Sequence, residues 1–232
     1  TQQRMADIEH HMLHFLENHD EQRIAAPEFA GDARKGMPAM VVSSTISTSP
    51  TMLYFGQDVG EPGAADAGFG KASRTTIFDY WGVPHHQRWM NGGKFDGGAL
   101  SPAERELRQF YETLMQFSAR APALNGAYRE LHTDNLAAGS AYSEQQLAFA
   151  RYNQQQQLLV VSHFDPQQGI EFSLQLPAEL ITAWDLSDGK YLLQDQLTGK
   201  TNELVVTAGK GEVQVKLAAL GSVVYQLNRQ GE

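Results

Sequence analysis

Met12-Leu13-His14-Phe15-Leu16 is a short, mostly apolar run that breaks into a polar burst, Glu17-Asn18-His19-Asp20-Glu21. The pattern recurs 40 residues downstream with different letters: Met52-Leu53-Tyr54-Phe55 is apolar, and Gly56-Gln57-Asp58 follows. Between the two runs, Met37, Met40, Val41 and Ser44 fall at i, i+3, i+4 and i+7, which predicts a helix over about 32–46. Asp32 suits its N-cap and Pro50 stops it, although Gly36 and Pro38 are poor residues for its first turns. Apolar runs with polar C-terminal ends, separated by a helix, read as parallel strands of a βαβ unit. Barrels and doubly wound sheets keep their chemistry at such strand ends.

Outward from this core, residues 59–100 hold nine glycines and show no sustained period, which predicts a long irregular loop packed by its aromatic residues. Ser101-Pro102-Ala103-Glu104 opens the clearest helix: Ser101 caps, Pro102 suits the first helical position and Glu104 completes a capping box. Leu107, Phe110, Tyr111, Leu114 and Phe117 form its apolar stripe, and Ala121-Pro122 ends it. After Gly126 the texture changes to about nine short runs rich in Val, Leu, Tyr and Phe. Turn signals separate them at Asp165-Pro166, Ser187-Asp188-Gly189, Thr198-Gly199 and Gly209-Lys210-Gly211, and Gln154 to Gln157 reads as a hairpin turn. The expected architecture is α/β followed by all-β. Residues 1–126 form the first domain, and 127–232 form an antiparallel β-sandwich with Trp184 in its core.

Composition narrows the function. A net charge of −9 opposes binding to nucleic acid through phosphates. No basic half is hidden, since both sides of Gly126 are acidic, with 11 basic and 15 acidic residues before it and 7 and 12 after. Without cysteine there is no disulfide, thiolate metal site or thiol nucleophile. No apolar run is long enough to span a bilayer. Thr1-Gln2-Gln3-Arg4 has neither an initiator Met nor an apolar leader, so the chain is expected to have been cut from something longer, and the compartment is not given.

The chemistry-bearing cluster is Glu17-Asn18-His19-Asp20: a carboxylate, an amide, an imidazole and a second carboxylate at one strand end. Such a set can hold a polyhydroxylated ligand, because each hydroxyl wants a donor and an acceptor. The same tetrapeptide serves equally as a polar strand exit with a capping Asp. His10 and His14 would share one face of a strand and His11 the other, so only two could converge on a metal, and packing histidines are the expected role. His85-His86 reads as a solvated loop pair. Asp58 and Glu61 could line a cleft, and Trp81 and Trp89 could stack on a sugar or pack the loop.

Phe15-Leu16-Glu17-Asn18-His19-Asp20 resembles the motif at the end of the seventh barrel strand in the α-amylase family, glycoside hydrolase family 13. Met52 to Asp58 resembles that family's eighth-strand motif. Ser73-Arg74-Thr75-Thr76 with Trp81 is similar to the Arg-Thr-Pro-Met-x-Trp segment of its last loop, though the usual Pro is missing here. The helix from Ser101 and the exit Ala121 to Gly126 resemble the final barrel helix and the crossing into a C-terminal β domain. The resemblance implies the C-terminal portion of a (β/α)8 barrel followed by a β-sandwich.

It further implies a retaining glycosidase acting on α-glucans or maltooligosaccharides. Asp20 would be the transition-state-stabilising carboxylate and His19 a sugar-binding residue, with Asn18, Asp58 and Arg74 as further substrate contacts. The nucleophile and acid/base of such an enzyme sit on earlier strands, so this chain alone is expected to be inactive. No cofactor or metal is expected in this segment; a calcium site of the parent would also lie on earlier strands. Exposed strand edges and helix faces predict self-association. Two other readings stay open. In one the chain is a non-catalytic carbohydrate-binding or structural module. In the other it is an α/β domain of a different hydrolase, for which the deciding observation is whether 10–16 and 51–55 are adjacent and parallel.

Overall fold

The computed structural model describes residues 7–63, 75, 83–139 and 141–228. Arg74, Trp81 and the rest of the arginine-bearing segment apart from Thr75 lie outside the described residues. The chain divides into two compact units, one formed by Thr1–Ser44 with Ser49–Gln116, the other by Thr45–Thr48 with Phe117–Glu232.

In the first unit the two apolar runs meet in parallel at a single bridge, His14 with Thr51. The His14 N–H donates to the Pro50 carbonyl at 2.9 Å, and the Met52 N–H to the His14 carbonyl at 2.8 Å. The adjacency and direction are those expected, but the runs are extended segments rather than full strands. Parallel pairing is sustained where neighbours flank both sides, and Met12, Leu13 and Phe15 are solvent-exposed here. Glu9–His11 is a 3-10 turn, not strand, so the alternation assumed for His10, His11 and His14 does not apply.

The expected helix is present as a 3-10 turn, Ala33–Lys35, running into α1 (Gly36–Thr45), with Asp32 capping the Arg34 N–H. Pro38 sits in the first turn, where its missing N–H costs no intrahelical bond. Gly36 is demanded by packing: a Cβ there would lie 2.7 Å from Ile24 Cδ1. Met40, Val41 and Ser44 are buried as their spacing required.

The described part of the glycine-rich stretch is more regular than its composition indicated. It contains α2 (Pro84–Met90), with Pro84 in its first turn. The helix is started by a carboxylate distant in sequence: Glu61 Oε2 accepts the His85 N–H at 2.9 Å. Then α3 (Pro102–Ser118) opens with the expected capping box, Glu104 accepting the Ser101 N–H at 2.7 Å while the Glu104 N–H donates to Ser101 Oγ at 3.3 Å. Leu107, Tyr111 and Leu114 are its buried stripe.

Among the described residues of the second unit eight strands form one antiparallel sheet. They are β1 (Ala127–Glu130), β2 (Gln146–Tyr152), β3 (Gln157–His163), β4 (Ile170–Leu176), β5 (Gly189–Asp195), β6 (Thr201–Thr207), β7 (Lys210–Leu217) and β8 (Ser222–Asn228). The spatial order is β1-β2-β3-β8-β5-β6-β7-β4. Two short helices, α4 (His132–Ala137) and α5 (Ala178–Ala183), interrupt the strands. Strand β7 alternates strictly, with Gly211, Val213, Val215 and Leu217 inward and Lys210, Glu212, Gln214 and Lys216 outward. Inward residues from β2 through β8 share one hydrophobic core with Leu180, Ile181 and Trp184, which is buried as expected. Arg151 is buried too, and its guanidinium donates to the carbonyls of Ile46 (2.6 Å), Leu124 and Gly126 (3.2 Å), all within the second unit.

Candidate functional site

The tetrapeptide Glu17 to Asp20 divides. Glu17 turns inward and the next three residues turn outward. Glu17 is 2% exposed; Oε1 accepts the Ile24 N–H at 2.7 Å and Oε2 accepts from Arg23 at 2.9 Å. Burial raises the Glu17 pKa and the adjacent Arg23 charge only partly offsets this. The structural role of this carboxylate is therefore closed to ligand.

Asn18 shapes the loop. Its Oδ1 accepts the N–H groups of Asp20 and Glu21, both at 2.8 Å, an Asx turn. This leaves the side chains of His19 and Asp20 43% and 71% exposed, with Nε2 and Oδ2 3.4 Å apart. An imidazole and a carboxylate side by side, open to solvent, offer a donor and acceptors to adjacent hydroxyls of one sugar. The structure thus brings Asn18, His19 and Asp20 together, with Asn18 committed to holding the turn.

Asp58 occupies a separate ion pair. It lies in a 3-10 turn, Gln57–Val59, bounded by Gly56 (φ 81°) and Gly60 (φ 70°), both left-handed. Its side chain is largely buried against Arg108, and burial raises its pKa against that charge. Arg108 in turn stacks over Trp89, 4.7 Å from the ring centroid. Trp89 therefore packs against Arg108 of α3 and, in its own segment, against His86 (5.4 Å) and Phe95 (5.8 Å).

The histidine pair is not a solvated loop. His85 Nδ1 lies 3.1 Å from the Val59 carbonyl and 2.9 Å from Glu104. His86 sits against Phe55 and Trp89, and burial lowers its pKa. Glu61, 1% exposed, is used up by the N–H groups of Gly63 and His85. A groove of about 340 Å³ opens beside these residues, lined by Met37, Val59, Ala103 and Leu107 with Arg34 and His85. It contains none of the residues expected to bind substrate and no Trp, Tyr or Phe on which a sugar could stack. Among the described residues no three His, Asp or Glu side chains are grouped to hold a metal ion.

Arg23 is what the sequence reading missed. It is fully buried, and its guanidinium reaches three segments. Nη1 donates to Glu17 Oε2 (2.9 Å) and to the Phe55 carbonyl (2.8 Å), while Nε and Nη2 donate to Thr75 Oγ1 (3.2 and 2.6 Å). It also lies over the rings of Tyr54 (4.5 Å) and Phe55 (5.1 Å). The available signal was an arginine six residues after a glutamate, bracketing the motif.

Residues 137–228 match the family model described as alpha amylase, C-terminal all-beta domain. The matched residues lie wholly within the second unit. Solved amylases share the fold over nearly the whole chain. A variant of AmyP in complex with maltotriose is 22% identical, covering 93% of this chain and 41% of its own, at a TM-score of 0.58. The Anoxybacillus alpha-amylase is 16% identical, covering 95% and 38%, at 0.58. The Geobacillus thermoleovorans alpha-amylase complexed with acarbose is 14% identical, covering 94% and 39%, at 0.60. No curated protein matches the chain in sequence. The likeness to the α-amylase family thus rests on the family match over residues 137–228 and, for the rest of the chain, on fold alone. The chain spans about two fifths of the length of these solved structures.

Proposed function

We propose that this chain is the C-terminal part of an α-glucan-acting, retaining glycosidase of the α-amylase type. Residues 1–126 supply the last portion of its (β/α)8 barrel and residues 127–232 its C-terminal β domain. Asp20 is the carboxylate that steadies the positive charge developing on the sugar ring, and His19 binds hydroxyls of the same sugar. Contacts of this kind act by strengthening in the transition state. The observation that carries the reading is the division of the motif: Glu17 is buried in a structural ion pair while His19 and Asp20 stand together, exposed, on an Asx turn. The maltotriose in the AmyP complex supports an α-glucan as the ligand class. Arg74 and Asp58 complete the proposed set of substrate contacts, Asp58 through the charge it shares with Arg108.

No residue of this chain is assigned as nucleophile or acid/base, so the chain alone is proposed to bind but not to hydrolyse. A structural role is proposed for the β domain. Its indole, Trp184, is buried, and among its described residues Phe164 is the sole exposed phenyl ring. The test is calorimetric titration of maltotriose into the wild type and Asp20→Ala, with reducing-sugar release followed alongside. Binding that Asp20→Ala removes, without turnover, is the expected result. Binding that survives the substitution, or turnover by the chain alone, contradicts it.

A further inference from the structure

Three of the segments that carry the proposed sugar contacts converge on one side chain. The loop from Asn18 to Gln22 leaves the protein interior at Glu17 and returns at Arg23. Phe55, whose carbonyl takes an Arg23 N–H, lies three residues before Asp58. Thr75, whose hydroxyl takes two more, follows Arg74 in the chain. From these contacts we infer that Arg23 is a positioning residue of the site: the buried Glu17–Arg23 pair closes the Asn18–Gln22 loop at its base and fixes His19 and Asp20 relative to Thr75 and to the segment bearing Asp58. The inference rests on the sugar-binding reading above and adds to it the residue that holds the site together.

The chemistry requires arginine. A planar guanidinium offers five N–H donors in a fixed fork, and four donor contacts are used here on three acceptors in different directions. Its faces lie over Tyr54 and Phe55. A lysine has one nitrogen on a flexible stem and cannot reach Glu17, Phe55 and Thr75 together. Closing a six-residue span at its base also restricts the loop more than surface hydrogen bonds do, because the pair is buried and screened little by solvent. The Asx turn at Asn18 orders the tip of the loop, and the clamp orders where the tip sits.

The test separates loop position from general stability. In the 232-residue chain, backbone and histidine NMR signals are compared for wild type, Arg23→Lys, Thr75→Val and Val41→Ala. Val41 is buried in α1 and is not part of the clamp, so Val41→Ala lowers stability without touching the loop base. Thr75→Val removes one acceptor and is the milder variant should Arg23→Lys fail to fold. The expected result is that the clamp variants shift the amide signals of Asp20 and Glu21 and the ring signals of His19, and lower their heteronuclear NOE, while Val41→Ala leaves them in place. Maltotriose affinity then falls by about tenfold or more in the clamp variants. Loop signals unchanged in both clamp variants, or shifted equally by Val41→Ala, overturn the inference. If the wild type binds no maltotriose while the loop signals still respond to the clamp, it is the sugar reading that fails, and the clamp stands.

Discussion

Glu17 and Glu104 are both carboxylates held by an arginine, yet their proton affinities move in opposite directions. For Glu17, burial raises the pKa and Arg23 does not fully offset it. For Glu104, burial also pushes upward, but hydrogen bonds from Arg88 and Ser101 outweigh it and hold the group at about 2. The consequences for stability have opposite sign. A depressed folded pKa stabilises above the unfolded value of 4.5, and that contribution is lost as the pH falls through about 2. A raised folded pKa means that the native state takes up its proton first, so the Glu17 contribution improves as acid is approached. Urea midpoints measured from neutral pH into acid should therefore decline less steeply for Glu104→Gln than for wild type, and more steeply for Glu17→Gln. The same slope in all three proteins would contradict these assignments. This contrast also marks what was legible at the residue scale. Asn18, His19 and Asp20 are adjacent and read as one motif, whereas the partners of Arg23 lie at 17, 55 and 75 and become neighbours only through folding.

Secondary elements were legible where their start signals are local. Ser101 to Glu104 carries its capping box within four residues, and α3 begins where it indicates. By contrast α2 is started by Glu61, 24 residues before the N–H it accepts. Flanked by glycines and masked by that distant cap, it read as loop. In the β domain the hairpin signals worked because tight turns impose backbone conformations that few residues tolerate. Between β6 and β7 the two turn residues, Ala208 (φ 50°) and Gly209 (φ 72°), are both left-handed, as a type I′ hairpin requires. Asp188 accepts both their N–H groups, at 2.9 and 3.0 Å. Alanine is the strained member, and a Cβ in the left-handed region costs roughly 1–2 kcal/mol. Ala208→Gly is expected to raise stability by about 0.5–1 kcal/mol after the extra entropy of glycine in the unfolded chain. A midpoint in chemical denaturation that falls instead would show that Ala208 is not strained.

At the scale of the molecule, the two units differ in how their apolar surface is covered. The β domain closes its core with strands from β2 to β8 and two short helices. The first unit leaves Ile8, Met12, Leu13 and Phe15 exposed, near the His14–Thr51 bridge in sequence. Apolar residues gathered beside unpaired backbone are a template for association. The chain is expected to self-associate with rising concentration, and Leu13→Lys with Phe15→Lys to lower the average mass seen by light scattering. A monodisperse monomer at high concentration would contradict this. The β fold was legible from alternation and turn residues, since both are local. In the first unit the polar bursts were legible but full strands did not follow, because a strand is defined by its neighbours. Sugar is proposed to be held at the exposed turn after Glu17, and an NMR titration with maltotriose shows where the ligand acts. Saturable shifts concentrated at the His19 ring and the Asp20 and Glu21 amides, and absent in Asp20→Ala, are expected. Shifts confined to residues 127–228, or no shifts at millimolar ligand, would contradict it.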